Sequence, residues 1–143
     1  MKVWFDMDGT IADFYGVEGW LDHLDKNSTI PYEKAKPMFN FSKLARKLNV
    51  LRKKGHEIGI VSWTSKCGDD DFHMKITEAK KKWLHKHLPS VKWNEIKILK
   101  YGTNKWESCK EGILFDDEEN NRKTWMNSCA FSPDNIFEVL NIL

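Results

Sequence analysis

Lys2-Val3-Trp4-Phe5-Asp6-Met7-Asp8-Gly9-Thr10 is the stretch that decides how this chain folds and what chemistry it carries. Val3–Phe5 is a short β-prone apolar run that delivers two carboxylates two residues apart, and Gly9 then lets the chain turn sharply. Side chains two apart on a strand point the same way, so Asp6 and Asp8 converge at its C-terminal end. Clustered acids repel, and desolvation makes paired ionisation expensive. A strand end tolerates such a pair when a cation neutralises it or one acid stays protonated for chemistry. The stretch therefore reads as a metal-assisted active site.

Outward from it, short apolar runs alternate with helical patterns. Val3–Phe5, Glu57–Trp63, Ile96–Leu99, Ile113–Phe115 and Cys129–Phe131 are expected strands, with helices near 41–54, 71–88, 104–110, 119–127 and 134–142. Strands alternating with helices imply right-handed crossovers and an α/β fold, a parallel sheet with helices on both faces. Over 71–88, Phe72, Ile76, Ala79, Trp83 and His87 recur at helical spacing, Asp69-Asp70-Asp71 suit the helix start and Pro89 the end. Lys80-Lys81-Lys82 is expected to be a solvated face of that helix, with Glu78 four residues before Lys82. Residues 14–38 break the alternation: Phe14, Tyr15, Trp20, Tyr32, two prolines and a short helical pattern at Val17–Leu24 read as a small insertion lying over the site as a lid. The whole chain, 1–143, reads as one decorated α/β domain.

Composition sets outer limits. At 143 residues the chain is long enough for one core and short for two domains. A net charge of +2 gives no strong reason to expect nucleic-acid or membrane binding. No apolar run reaches bilayer-spanning length, and a core strand opening at Lys2 leaves no room for a targeting peptide. Cys67, Cys109 and Cys129 show no C-x-x-C spacing and are expected to be reduced, mostly buried thiols in a cytoplasmic protein. His85 and His87 diverge on their helix, and none of the five histidines is assigned a role.

In an open parallel sheet, ligands bind outside the carboxyl ends of the strands. There this sequence places Asp6-Met7-Asp8-Gly9-Thr10, Ser62-Trp63-Thr64-Ser65 and Asp116-Asp117, with Lys105 at a helix start after Thr103-Asn104. Each has work in phosphoryl transfer. A carboxylate can attack phosphorus, and a second acid can protonate the leaving oxygen and then activate water. Mg²⁺ takes oxygen ligands, few carboxylates and a substrate phosphate among them. A lysine and a hydroxyl hold the phosphoryl oxygens.

Asp-Met-Asp-Gly-Thr after a hydrophobic strand resembles motif I of the haloacid dehalogenase (HAD) superfamily, and the other motifs follow in order. The resemblance implies a three-layer Rossmann-like fold with five parallel strands in the order 5-4-1-2-3 and a small cap after strand 1. It implies Asp6 as nucleophile and Asp8 as general acid/base, with Asp6, the Asp8 backbone carbonyl, Asp116 and a supporting Asp117 around Mg²⁺. Ser62 matches the motif II hydroxyl, with Thr64 as its alternative and a candidate substrate contact. Lys105 matches the motif III lysine, with Lys100 and Lys110 as competitors. Ile11-Ala12-Asp13-Phe14 after the turn and the lysine-rich Ala79–Pro89 are similar to the 5'(3')-deoxyribonucleotidase-like branch, which implies a nucleotide as the small phosphorylated substrate. Phe14 is the first candidate to stack on a base, while Trp20 and Tyr32 would serve equally as a core for the lid. A larger substrate, such as a polynucleotide 3'-phosphate or a phosphoprotein, is the alternative that a short lid leaves open. A non-catalytic receiver-like module is a third reading, against which Leu99-Lys100-Tyr101 supplies no aspartate at the third strand's end.

Overall fold

The computed structural model describes residues 1–143. The five expected strands form as β1 (Lys2–Phe5), β4 (Glu57–Trp63), β5 (Glu95–Leu99), β6 (Ile113–Phe115) and β7 (Ala130–Phe131). They make one sheet in the order β5-β4-β1-β6-β7, and every pairing in it is parallel. The chain's opening strand is thus the central one, hydrogen-bonded to neighbours on both edges.

Alternation along β1 builds two cores. Val3 and Phe5 face one side, where they meet Ile58, Ile60 and Phe115, Leu44, Leu48 and Leu51 of α3 (Phe41–Lys53), Trp83 and Leu84 of α4 (Asp70–His87), and Ile136 and Leu140 of α7 (Ile136–Leu140). Trp4 faces the other side with Val61, Leu114 and Trp125, against which Trp106 of α5 (Lys105–Cys109) packs. Gly59 lies opposite Trp4 in the register, and a Cβ there would overlap the indole, so the glycine makes room for that ring.

Helix α4 begins where its acids indicate: Asp69 is the N-cap and its side chain accepts from the Phe72 N–H. Asn104 caps α5 in the same way, accepting from Glu107, and so puts Lys105 in the first helical position. The pattern at 119–127 yields a shorter α6 (Glu119–Thr124), because Trp125 turns to an extended conformation and ends the helix, with Asn127 and Ser128 at positive φ beyond it. The C-terminal pattern opens with a 3₁₀ turn at Pro133–Asn135 before α7.

Residues 14–38 are closed at their base by a two-stranded antiparallel ribbon, β2 (Ala12–Asp13) with β3 (Lys36–Pro37). Between them lie α1 (Trp20–Asp25) and α2 (Ile30–Lys34). Phe14 and Tyr32 pack with Phe72, Ile76 and Ala79 of α4, and the Trp83 indole N–H donates to the Ala35 carbonyl at 2.8 Å. The insertion therefore sits on α4, beside the C-terminal ends of β1 and β4.

Two expectations are corrected. Lys80 is not part of a solvated face: it is 1% exposed, because it lies four residues after Ile76 and between Ala79 and Trp83 on the buried stripe of α4. The thiols are not mostly buried: Cys67 is exposed, and Cys109 and Cys129 are partly so, all three unpaired. No helix is long and apolar enough to cross a membrane.

Candidate active site

The β1–β6 pairing runs one residue past the strand, with the Asp6 N–H donating to the Phe115 carbonyl at 2.9 Å. This delivers Asp6 beside Asp116, which follows β6. The chain then folds back on itself, the N–H groups of Thr10, Ile11 and Ala12 all donating to the Met7 carbonyl. Gly9 has φ 79, and a Cβ on it would overlap the Asp117 carboxylate. The turn thus requires glycine twice, for its dihedral and for the acid behind it.

The carboxylates of Asp6, Asp116 and Asp117 have oxygens within 4.8 Å of one another. Lys105 Nζ lies 2.9 Å from Asp6 Oδ1 and 2.6 Å from Asp116 Oδ2. Of the three candidate lysines it alone reaches the acids, since Lys100 and Lys110 are exposed. Asp116 is fully buried and held on all sides: Oδ1 accepts from the Glu118 N–H, Oδ2 also from Asn121 Nδ2, and its carbonyl from Arg122. Thr10 bridges the two acidic segments. Its Oγ1 lies 3.2 Å from both Asp6 Oδ2 and Asp117 Oδ1 and accepts from the Asp117 N–H.

The Asp8 carboxylate stands apart from this cluster and meets a second lysine. Lys80 Nζ donates to Asp8 Oδ2 at 2.9 Å, to Ser62 Oγ at 2.8 Å and to the Trp63 carbonyl at 2.6 Å. Ser62 and Thr64 are both buried at the end of β4. Ser62 is engaged by Lys80, whereas the buried Thr64 Oγ1 has no hydrogen-bond partner.

Charge in the site is unevenly distributed. Burial pushes the Asp6 carboxyl up, but Lys105 and Lys80 outweigh it and hold Asp6 below the usual carboxylate range. Burial wins at Asp8, which is raised against the pull of Lys80. Asp116 is pushed up to about 6, by burial and then by Asp6, and Asp117 to about 7, by burial and then by Asp6 and Asp116. Burial alone would lower Lys105, yet Asp6 and Asp116 raise it above the usual lysine value, so it stays charged. Four carboxyls thus face two ammonium groups, and three of the four, Asp8, Asp116 and Asp117, hold their protons more tightly than an ordinary carboxyl. Three converging carboxylate oxygens suit a hard cation such as Mg²⁺, so the donor set fits one.

Above the acids opens a cavity of about 290 Å³, lined by Asp6, Asp8, Ser62, Thr64 and Lys105 at its base. Its upper walls are aromatic, with Phe14, Tyr15, Trp20 and Tyr32 from the insertion and Trp63 and Tyr101 from the ends of β4 and β5. Phe14 lines it but is 3% exposed, wedged between Tyr15, Trp20 and Tyr32. Tyr15 and Tyr101 carry the open rings, each 49% exposed, and Tyr101 leans on Trp63 with ring centroids 5.0 Å apart. Burial and then Asp8 raise both the Tyr15 and the Tyr32 hydroxyls above the usual phenol range. Lys80, Asn121 and Tyr101 are candidate site residues to which the sequence patterns assign no such place, while Thr10 and Tyr15 lie in the stretches the sequence points to but carry no role of their own there.

No protein-family model matches this sequence, and comparison with curated proteins finds no match. Two solved structures share the fold. One is a chain in the structure of the Pnkp1/Rnl/Hen1 complex, 14% identical with a TM-score of 0.59, covering 92% of this chain and 44% of that one. This chain therefore spans under half the length of that relative. The other is D,D-heptose 1,7-bisphosphate phosphatase from Burkholderia thailandensis, 13% identical with a TM-score of 0.50, covering 85% of this chain and 69% of that one. The α/β architecture with a five-stranded parallel sheet has a Rossmann-like, HAD-like fold.

Proposed function

We propose that this protein is a Mg²⁺-dependent phosphomonoesterase of HAD type acting on nucleotides in the cytoplasm. The observation that carries the reading is the geometry of the two acids of one turn: Asp6 converges with Asp116 and Asp117 and meets Lys105 at 2.9 Å, while Asp8 stands apart against Lys80, both acids at the base of an open cavity. The lysines hold Asp6 low and burial raises Asp8. That is the pairing a nucleophile and a general acid need.

In the first step an Asp6 carboxylate oxygen attacks phosphorus. The bond from phosphorus to the leaving oxygen breaks with its electron pair, and the Asp8 proton passes to that oxygen. In the second step water attacks the aspartyl-phosphate, gives its proton to Asp8 and returns Asp6 as carboxylate with release of phosphate. Lys105 and the Ser62 hydroxyl hold phosphoryl oxygens throughout, and Thr64, whose buried hydroxyl lacks a partner, is a further contact for substrate. Asp6, Asp116, Asp117 and the Asp8 backbone carbonyl would hold Mg²⁺, which supplies positive charge against the phosphoryl oxygens when bound.

The insertion at 14–38 acts as a mini-cap, with Phe14 supporting the exposed ring of Tyr15. Aromatic side chains from the insertion and from the ends of β4 and β5 line the same cavity, which favours a leaving group that carries a planar ring, and hence a nucleoside. A phosphorylated nucleic-acid end is the second reading, favoured by the half-exposed Tyr15 and Tyr101 rings at the cavity walls.

Phosphate release from nucleoside 5'- and 3'-monophosphates, a 3'-phosphorylated oligonucleotide and sugar phosphates, with Mg²⁺ and beside Asp6→Asn, tests both readings. The expected result is release from mononucleotides that Asp6→Asn abolishes. Preference for the oligonucleotide would move the assignment to the second reading, and equal release by wild type and Asp6→Asn would end both.

A further inference from the structure

Two lysines are buried in the same site, and their hydrogen-bond inventories separate their roles. An ammonium group carries three N–H donors and no acceptor. Lys80 uses all three, on Asp8 Oδ2, Ser62 Oγ and the Trp63 carbonyl. Lys105 meets two acceptors, Asp6 Oδ1 and Asp116 Oδ2, so one N–H remains for a ligand. Their positions agree with this count: Lys105 lines the cavity, whereas Lys80 lies behind Asp8 and Ser62 and does not.

We infer that Lys80 is a positioning residue that orients the Asp8 carboxyl and the Ser62 hydroxyl for the reaction without touching the substrate; the inference rests on the phosphatase reading. By taking Asp8 Oδ2, Lys80 turns the other oxygen, Oδ1, into the one available to the leaving group. By donating to Ser62 Oγ, it occupies a lone pair, so that the Ser62 O–H is free to donate into the cavity. The third bond, to the Trp63 carbonyl, pins the ammonium to β4. The Tyr32 ring 5.3 Å from Nζ covers it from the insertion side, so one side chain ties α4, β4, the catalytic turn and the insertion together. Lys80 stands among Ile76, Ala79 and Trp83 on the buried stripe of α4, which holds its stem against exchange with solvent.

Leaving-group dependence tests this, because a lysine that orients the acid matters most where the leaving oxygen most needs a proton. A series of aryl phosphates of similar size and graded phenol acidity is hydrolysed by wild type, Lys80→Met, Lys80→Arg, Asp8→Asn and Asp8→Asn/Lys80→Met, and kcat/KM is measured. For Lys80→Met the least acidic leaving group is expected to lose about a hundredfold, the low end of general-acid contributions, and the most acidic under about tenfold. In the Asp8→Asn background Lys80→Met adds no further slope. Lys80→Arg keeps the charge but not the convergent geometry and shows the same trend, which preserves the test if the methionine variant folds poorly. A uniform fall across the series, or none, overturns the assignment while leaving the phosphatase reading intact. Wild-type rates no higher than those of Asp6→Asn would overturn both.

Discussion

The α-carbon of Gly9 backs directly onto the Asp117 carboxylate, so that any side chain at position 9 would overlap it. The Asp6–Thr10 turn and the segment after β6 are therefore built against each other, and Thr10 bonds across the same junction. Gly9→Ala combines a forced positive φ with displacement of Asp117 and is expected to destabilise the fold by about 1–3 kcal/mol. Mg²⁺ affinity should fall with it. Denaturant titration and calorimetric Mg²⁺ binding check the two effects, and wild-type Mg²⁺ affinity in the variant would exclude Asp117 from the metal site.

Metal binding should depend on pH in a definite direction. Asp116 and Asp117 have native values of about 6 and 7 against an ordinary 3.8, so the folded, metal-free protein retains protons that the unfolded chain has released. Their contribution to stability is present below the ordinary value and is lost as pH rises through 6 and 7. Asp6, shifted down, contributes the opposite trend, and only in the more acidic range. Mg²⁺ competes with those protons, so its effect on Tm should be larger near about pH 7.5 than near about pH 5. A thermal shift of equal size at both would count against these acids as ligands.

Lys105→Met leaves Asp6 and Asp116 buried without their shared cation, a change that typically costs about 3–5 kcal/mol. Mg²⁺ should restore part of the lost stability without restoring phosphate release. Full activity in the variant would remove Lys105 from the site.

The half-exposed Tyr15 and Tyr101 rings are the proposed contacts for a nucleobase. Tyr15→Ala and Tyr101→Ala should each raise KM for a nucleoside monophosphate about tenfold, in the range found for stacking on a base, and leave glycerol phosphate unaffected. Equal effects on both substrates would point to a structural role for the rings.

Much of this was legible in the chain because the signals are local. The apolar runs of β4 and β6, Asp69 as the cap of α4 and Asn104 as the cap placing Lys105 are each short-range patterns with one physical meaning. Helix α2 was hidden because Pro31 reads as a turn residue, although it occupies the first turn of a helix, where its missing N–H costs nothing. The two-residue strands β2 and β3 carry too little alternation to be seen. A run of three lysines reads as solvated surface, and that hides Lys80. Its own position, four residues after Ile76 on the apolar stripe, was the contrary signal. Nearness to the turn points to Phe14, but ring exposure, which only packing decides, favours Tyr15 and Tyr101.

The most direct test of the account is whether Asp6 becomes phosphorylated. Intact-mass and peptide spectrometry of protein quenched in acid during turnover should find one added phosphoryl group on Asp6, enriched in Asp8→Asn and absent from Asp6→Asn. A hydrolysed substrate that leaves no adduct in Asp8→Asn, or an adduct that persists in Asp6→Asn, would contradict it.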